Sequence, residues 1–336
     1  MICRSRLSLN QILTVNNTII DPKRGKRQLA MIKKPINSIL EHTTSVANGR
    51  FTIFVVIIAA LIIPSHPILK TVLPWILGCV MFVNFITIKI KITNPLNRTG
   101  IAYFVVVAAI IPCAIALSNP GLPAAVQNGL ILAIISPTAL SSPVIASFTG
   151  ADSSRLVTHI LIAHIAAPVI YTIHLYYSLN LSDFTIPYFM IILKVVTMIL
   201  APLIAACLYK KTLKNIAIPR LVLMKKILFY LLVFTAVSSA SEKIKNLEPL
   251  FALQLFITVF LLAVLLYFCG YITCYRQNKG ITGALMFGHK NTGLSLWLAI
   301  TYLPGESSAP LVLYIISHHI INGILISFNN KNPNLN

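Results

Sequence analysis

The sequence predicts an all-α polytopic membrane protein. We expect ten transmembrane helices, arranged as an inverted 5+5 repeat, in which the fourth and ninth helices are broken and cross each other. Three observations lead to this fold class: the composition, the succession of long apolar stretches, and one interrupted stretch in each half of the chain. Of the 336 residues, 57% are hydrophobic and 10% are charged, whereas soluble domains are roughly 45–50% apolar and about 25% charged. The composition therefore excludes a soluble globular enzyme.

Apolar stretches follow one another almost without interruption from Phe51 onward. A helix needs about 20 apolar residues to cross a hydrocarbon core of about 30 Å. The ten expected spans lie at about 51–67, 68–88, 100–118, 122–149, 155–178, 186–208, 222–240, 249–273, 279–303 and 308–328. The predicted domains are therefore a basic N-terminal arm over 1–50, a ten-helix domain over 51–328 and a short tail over 329–336.

Positive charge is distributed unequally between the two sets of loops. The chain has 27 Lys and Arg against 7 Asp and Glu, a net charge of +20. Short cytoplasmic loops retain Lys and Arg, and with ten spans 22 of the 27 lie on the side of the N-terminus. Both termini are therefore expected in the cytoplasm. Because the excess charge marks one membrane face, it gives no reason to expect nucleic-acid binding.

The N-terminal arm over 1–50 is basic and lacks the apolar core of a secretory signal. We expect it to be a disordered segment that touches anionic lipid of the bilayer. Met31 is a second candidate for the start of the natural chain. The high content of Ile, Lys and Asn is typical of an AT-rich bacterial genome, so the expected location is the bacterial inner membrane.

Two of the ten stretches are interrupted near the middle of the bilayer. The fourth contains SPTALSSP (Ser136–Pro143), where each proline removes a helical donor and clashes with the preceding turn. The ninth contains GHKNTG (Gly288–Gly293). At this depth backbone leaves the helix only where it is buried in protein or lines a water-filled cavity. Both interruptions are therefore expected inside the protein.

The interruptions occupy the fourth position in each of two halves, at about 51–178 and about 186–328. Since each half has an odd number of spans, the second half enters from the opposite side, which gives an inverted repeat. Paired interrupted helices in two such halves are the sequence pointer to a secondary transporter with its binding site near the midplane. The ends of the half-helices would bring partial charges to that point. The expected function is transport and not enzymatic catalysis.

These motifs resemble those of the bile acid:sodium symporter superfamily. Its members carry a Pro-rich crossover followed by a Gly-Gly-Asp-like turn, and later a Gly-x-x-Asn-x-x-Leu-like crossover. The matching residues here are Ser136-Pro137, Ser141-Ser142-Pro143, Gly150-Ala151-Asp152 and Gly288 to Leu294, with Leu73-Pro74-Trp75 and Ile111-Pro112 as further similarities. The resemblance covers about residues 50–328. It implies a ten-helix inverted repeat, with a four-helix panel and a six-helix core, that carries organic anions.

The sequence departs from that family where sodium would bind. Sodium-coupled members supply Gln, Ser, Asn, Thr and Glu side chains, and the matching positions here carry Val107, Ser142-Pro143, Leu156, Ile160, Met286 and Lys290. Of these, Ser142 alone offers a side-chain oxygen. A hard cation prefers several oxygen ligands, and no acidic residue of the sequence lies at membrane depth. We therefore expect a divergent member that lacks the sodium-site side chains, with no metal site and no cofactor.

Lys290 is the expected centre of the site, because a charge in mid-bilayer costs at least ~2.5–3.5 kcal/mol and marks function. Its ammonium could replace the missing sodium by binding carbonyls of both broken helices, or it could neutralise a substrate carboxylate. Since burial disfavours the ammonium, it could also lose and regain a proton during transport. Snorkelling to an interface is the structural alternative. The candidate residues for substrate binding or coupling are Lys290, Asn291, His289, Ser141, Ser142, Thr138 and Thr292.

The predicted function is secondary-active transport of a small organic anion, a carboxylate or steroid-like acid. The expected mechanism is alternating access around a midplane site, without sodium coupling and with proton coupling left open. Two alternatives remain: a sodium-coupled carrier with displaced ion sites, and a non-transporting membrane receptor or scaffold with the same fold. The sequence has no nucleotide-binding loop, no HExxH and no paired intramembrane aspartates, which argues against an ATP-driven pump or a membrane protease. It makes no prediction of oligomeric state.

Overall fold

The computed structural model describes residues 52, 55–63, 66–87, 98–112, 122–178, 188–212 and 218–331. All of them belong to one compact unit, Thr52–Asn336. The predicted N-terminal arm over 1–50 lies outside the described residues, as do the last five residues of the predicted tail. Of the first predicted span, at about 51–67, the described part includes a helical stretch over 55–62.

Within the described residues, regular structure is helical apart from one isolated β-bridge. A π-helical segment, Val106–Ile110, continues the second helix, and a short 3₁₀ helix, Gly305–Ser307, precedes the last one. The α-helices are α1 (Pro67–Thr87), α2 (Arg98–Val105), α3 (Ala124–Ile135), α4 (Ser142–Thr149), α5 (Ser153–Ser178), α6 (Tyr188–Thr212), α7 (Ile218–Lys245), α8 (Pro249–Tyr275), α9 (Gly280–Gly288), α10 (Thr292–Tyr302) and α11 (Ser308–Lys331).

Six of the described helices are long and apolar enough to cross a membrane: α1, α5, α6, α7, α8 and α11. Their outer faces carry exposed apolar side chains, among them Ile204 on α6 and Leu261 and Phe268 on α8. Contiguous apolar surface of this kind is unusual on a soluble monomer and suits contact with lipid. The other helices, α2, α3, α4, α9 and α10, have 8 to 12 residues each. The ten-span inverted repeat therefore stays a prediction.

The fourth predicted span is broken where the prolines lie. Ser136 ends α3 with φ −48° and ψ 134°, an extended conformation favoured for a residue that precedes proline, here Pro137. Pro143 lies in the first turn of α4, where a missing N–H costs no hydrogen bond. At its other end, α4 stops at Gly150, whose φ of 65° is left-handed and suits glycine.

The ninth predicted span is broken without proline. His289 and Asn291 leave the helical region between α9 and α10. A Cβ at Gly288 would overlap the ring of Tyr267 on α8, and one at Gly283 would overlap the carbonyl oxygen of Gly270. Helix α9 thus packs directly against α8, and the chain leaves the helical conformation after Gly288, where that close contact ends.

Two long helices flank both breaks. Helix α5 contacts α3, α4 and α9, and α11 contacts α3, α4 and α10. The side chains of the four half-helices that face inward are mostly buried. The interruptions therefore lie inside the protein, as the exclusion of free backbone polar groups from hydrocarbon requires.

Candidate functional site

The two breaks meet each other. Thr138 and Lys290 form an isolated antiparallel β-bridge. On either side of it, the N–H of Ala139 donates to the carbonyl oxygen of His289 at 2.8 Å, and the N–H of Asn291 donates to that of Pro137 at 2.7 Å. Each unwound segment therefore supplies backbone hydrogen-bond partners to the other, and we call the place where the two breaks meet the crossing.

Side chains satisfy the carbonyl groups that α9 leaves open at its end. The last carbonyls of a helix have no partner within it. The hydroxyl of Thr138 donates to the carbonyl oxygen of Met286 at 2.6 Å, and the hydroxyl of Tyr314 on α11 donates to that of Gly288 at 2.8 Å. Thr138 thus acts in the crossing through both its backbone and its side chain.

Lys290 is buried at the crossing, with 1% of its surface exposed. Its Nζ donates to the hydroxyl of Tyr103 at 3.2 Å and lies 4.7 Å from the centroid of the same ring. The Tyr103 hydroxyl in turn donates to the carbonyl oxygen of Ser136 at 3.3 Å. No carboxylate of the described residues lies within ion-pair distance of the ammonium; the ion pair found among them joins Lys279 and Asp152.

This geometry bears on the alternatives for Lys290. The side chain stays in the interior and does not extend to an interface. Its link to the first broken helix is indirect, because Tyr103 stands between the ammonium and the Ser136 carbonyl. One of the sequence hypotheses was a direct contact of Nζ with carbonyls of both broken helices. In the structure, Nζ reaches the carbonyl of Ser136 through the hydroxyl of Tyr103 instead.

His289 connects the second break to the start of α4. Its Nδ1 lies 3.1 Å from the hydroxyl oxygen of Ser142, and its Nε2 lies 3.4 Å from that of Ser141. The imidazole is 2% exposed and packs edge-on against the ring of His318 on α11, at a centroid distance of 5.1 Å. His289 therefore lies within hydrogen-bond distance of two other predicted site residues, Ser141 and Ser142.

Asn291 connects the second break to α5. Its side-chain amide lies 3.1 Å from Nε2 of His164, whose Nδ1 lies 2.8 Å from the carbonyl oxygen of Ile160. Because a carbonyl only accepts, Nδ1 carries the proton, and Nε2 accepts from the Asn291 amide. Thr292, the last predicted site residue, begins α10 and is 3% exposed. All seven predicted residues thus lie in or beside the crossing.

Several contributors were not identified from the sequence as site residues. Tyr103 and His164 contact the crossing from α2 and α5. Beside it, the hydroxyl of Ser295 contacts that of Ser136 and lies 2.6 Å from that of Tyr171. In the sequence each of these residues is a polar side chain within an apolar run, and such a run does not show in which direction the side chain points. In the described part of the chain, no three His, Cys, Asp or Glu residues are placed to hold a metal ion.

A second contact joins the outer ends of the broken helices. Asp152, in the loop after α4, forms an ion pair with Lys279, which precedes α9, and its N–H donates to the Thr282 hydroxyl at 2.9 Å. The N–H of Arg155 donates to the Asp152 carboxylate at 3.0 Å. Burial raises the pKa of Asp152, but the hydrogen bonds from Lys279 and Arg155 outweigh burial and hold that pKa below its usual value.

Comparison with known proteins identifies the family of this chain. The model of the SBF-like CPA transporter family matches residues 96–331, which include both breaks, Tyr103 and the Asp152–Lys279 ion pair. A search of curated proteins finds no match. The family match agrees with the resemblance to bile acid:sodium symporters, and the apolar helices agree with a multi-pass membrane protein. The chain belongs to the SBF-like CPA transporter family, whose members are membrane transporters of the CPA and bile acid symporter kind.

Proposed function

We propose that this protein is a secondary-active transporter of a small organic anion, a carboxylate or steroid-like acid, and that it works without sodium. The observation that carries the proposal is Lys290, a buried lysine at the crossing of two broken helices with no carboxylate in ion-pair distance among the described residues. An unpaired ammonium at this depth is costly to keep. A substrate carboxylate is the counter-ion that would reduce that cost during transport.

The proposed architecture is the ten-span inverted repeat. In it, α3 with α4 forms the fourth span and α9 with α10 forms the ninth, and both termini lie in the cytoplasm of a bacterial inner-membrane protein. The bridge between Thr138 and Lys290 supports this arrangement, since it joins corresponding positions of the two halves. Alternating access would then expose the crossing to each side of the membrane in turn.

The absence of sodium coupling follows from the side chains at the positions where the resemblance places ion ligands. Val107, Leu156, Ile160 and Met286 are apolar and at most 2% exposed. Ser142, which does have a hydroxyl, lies within hydrogen-bond distance of His289. A shell of several oxygens, which a hard cation prefers, is not formed by these side chains. The chain is in this proposal a divergent member of its superfamily.

Proton coupling is the form of energy input that these residues allow. Burial disfavours the charged form of a lysine, and an anion beside the ammonium favours it. Lys290 would therefore be protonated in the state that accepts the anion, lose this proton after the anion has left on the other side, and be protonated again before the next anion binds. This cycle corresponds to the loss and regain of a proton that the sequence suggested for Lys290.

Uptake into proteoliposomes tests the proposal. The full-length protein is reconstituted, and uptake of radiolabelled benzoate and cholate is measured with sodium or with potassium as the only cation, with and without an inward proton gradient. We expect uptake of at least one of these anions in potassium buffer, stimulated by the proton gradient. Lys290→Ala should abolish it, whereas Lys194→Ala, which removes an exposed lysine of α6, should not.

Other results would favour the alternatives. Uptake that strictly requires sodium would contradict the coupling proposal and favour a sodium-coupled carrier with displaced ion sites. Stabilisation of the protein by an anion that is never taken up would favour a receptor or scaffold. Unchanged uptake by Lys290→Ala would show that this lysine is peripheral to transport.

A further inference from the structure

Tyr103 contacts two buried nitrogen-containing side chains, Lys290 and His159. Its ring is 2% exposed. Lys290 approaches both its hydroxyl and its face, and the ring of His159 on α5 packs edge-on against it at a centroid distance of 4.4 Å. Phe287 on α9 packs edge-on as well, at 5.2 Å. One phenol thus contacts an ammonium, an imidazole and an apolar ring.

The two nitrogen groups beside this phenol have unused hydrogen-bonding capacity. Nε2 of His159 is buried and has no hydrogen-bond partner within the described residues. The ammonium of Lys290, which has three N–H donors, makes its one hydrogen bond within the same residues to Tyr103. Buried polar groups are nearly always hydrogen-bonded in native proteins. Both groups beside this tyrosine therefore retain hydrogen-bonding capacity for a further acceptor.

We propose that Lys290 and His159 form the carboxylate subsite of the transported anion, and that the hydroxyl of Tyr103 takes the place of the anion in the structure described here. This inference rests on the proposed function and adds the ligand contacts. A carboxylate has two oxygens, so one can accept from the ammonium and the other from an Nε2–H of the imidazole. The ammonium then exchanges a neutral acceptor for a charged one, which forms the stronger hydrogen bond.

The surroundings define the class of anion. Within the described residues, the subsite holds one formal positive charge, that of Lys290, which balances a single carboxylate. The rings of Phe104 and Phe287 also pack against Tyr103, so aromatic carbon lies beside the phenol. The ligand expected here is a monocarboxylate with an apolar or aromatic body, and a dicarboxylate would bring an unbalanced second charge.

Displacement of Tyr103 would also act on the first broken helix. The Tyr103 hydroxyl donates to the carbonyl oxygen of Ser136 at the end of α3. When the anion takes the place of the phenol, that carbonyl loses its donor. Tyr103 lies in α2, which passes directly into the π-helical segment Val106–Ile110. Segments of this kind occur frequently at functional sites. Anion binding would thus be linked to the geometry of the break.

The test measures binding of benzoate, an aromatic monocarboxylate, to the purified full-length protein by its shift of the thermal unfolding midpoint. Benzamide, which is neutral, and phthalate, which is a dianion, are measured alongside. We expect benzoate to stabilise the wild type and the other two compounds to have much weaker effects. Tyr103→Phe should bind benzoate about tenfold more tightly, because the ring remains and the competing hydrogen bond to the ammonium is removed.

Two further variants separate the roles of the nitrogen groups. His159→Leu should weaken benzoate binding about tenfold through loss of one hydrogen bond to a charged acceptor, and Lys290→Gln should abolish it. Tyr302→Phe is the matched control, since its hydroxyl is buried and has no hydrogen-bond partner in the described part of the chain. It should bind benzoate like the wild type.

The outcomes distinguish this inference from the proposed function. If the wild type transports a carboxylate but Tyr103→Phe and His159→Leu bind benzoate as the wild type does, the subsite is elsewhere and the transport proposal stands. Weaker binding by Tyr103→Phe would show that the phenol is a ligand of the anion and not its substitute. If the wild type neither binds nor transports any carboxylate, both proposals are overturned.

Discussion

Thr138 and Lys290 face each other across the point where two broken helices meet, and the second break depends on the first. Pro137 is sufficient to end α3, but the second break contains no proline. Its backbone is stabilised outside the helix by hydrogen bonds with the first break, from Ala139 to the His289 carbonyl and from Asn291 to the Pro137 carbonyl. The opening of the ninth predicted span is therefore a tertiary effect and not a local one.

Thr138→Val tests the side-chain part of this crossing. Valine has nearly the same shape but cannot donate to the carbonyl oxygen of Met286, which Thr138 contacts at 2.6 Å. A buried acceptor without a partner costs about 1–3 kcal/mol. We expect a lower thermal unfolding midpoint for Thr138→Val and recovery in Thr138→Ser. Thr301→Val is the control, because the hydroxyl of that exposed threonine donates to a carbonyl of its own helix, four residues earlier. Equal midpoints for both valine variants would contradict this role.

Gly283→Ala tests the close approach of α8 and α9. An added Cβ would overlap the carbonyl oxygen of Gly270 and lie 2.8 Å from the side chain of Cys274. Overpacking of this kind costs about 1–3 kcal/mol, so we expect a lower unfolding midpoint and reduced uptake. Gly78→Ala on α1 is the matched control, since within the described residues no heavy atom outside its own helix backbone lies within 4 Å of the added Cβ. A similar loss in both variants would point to helix flexibility and not to packing.

The positions of the breaks were predictable because both are marked in the local sequence. Pro137 and Pro143 exclude a continuous helix, and the polar run from Gly288 cannot stay in contact with lipid. Both breaks occur where the sequence predicts them. Most described helix ends also lie within a few residues of the predicted ones. Helix α11, for example, continues three residues past the predicted end at 328.

The partners of the site residues were not predictable because they depend on how distant helices pack. Tyr103 lies in an apolar stretch, where its sequence neighbours give no reason to place it beside Lys290. His159 and His164 are five residues apart and point to different partners, Tyr103 and Asn291. The sequence showed that Lys290 is unusual, whereas the identity of the group that it contacts required the three-dimensional arrangement.

Asp152→Asn tests the ion pair between the loop after α4 and the start of α9. The lowered pKa of Asp152 means that its carboxylate stabilises the fold above the unfolded pKa of about 3.9. This contribution is lost as the pH falls through the folded value. We expect Asp152→Asn to unfold at a lower temperature than the wild type at neutral pH, and we expect this difference to shrink as the pH falls through the folded pKa.

Salt dependence provides the control for that variant. The side chains of Lys279 and Asp152 are 36% and 29% exposed, so solvent and salt screen their attraction and the effect should be modest. At high ionic strength the difference between Asp152→Asn and the wild type should shrink. A difference that is constant with both pH and salt would mean that the asparagine acts through packing and not through charge.

Lys290→Met separates the structural from the functional role of the buried lysine. Methionine has a similar length and is apolar, so it fills the same space. It removes the buried ammonium, which has no carboxylate of the described residues within ion-pair distance. Removing a mid-bilayer charge relieves a cost of at least ~2.5–3.5 kcal/mol, from which the lost contact with Tyr103 must be subtracted. We therefore expect a higher thermal unfolding midpoint together with loss of anion uptake. A lower midpoint would show that the ammonium holds the crossing together, and retained uptake would show that the substrate does not need its charge. Opposite changes in stability and uptake are the expected signature of a charge kept for function.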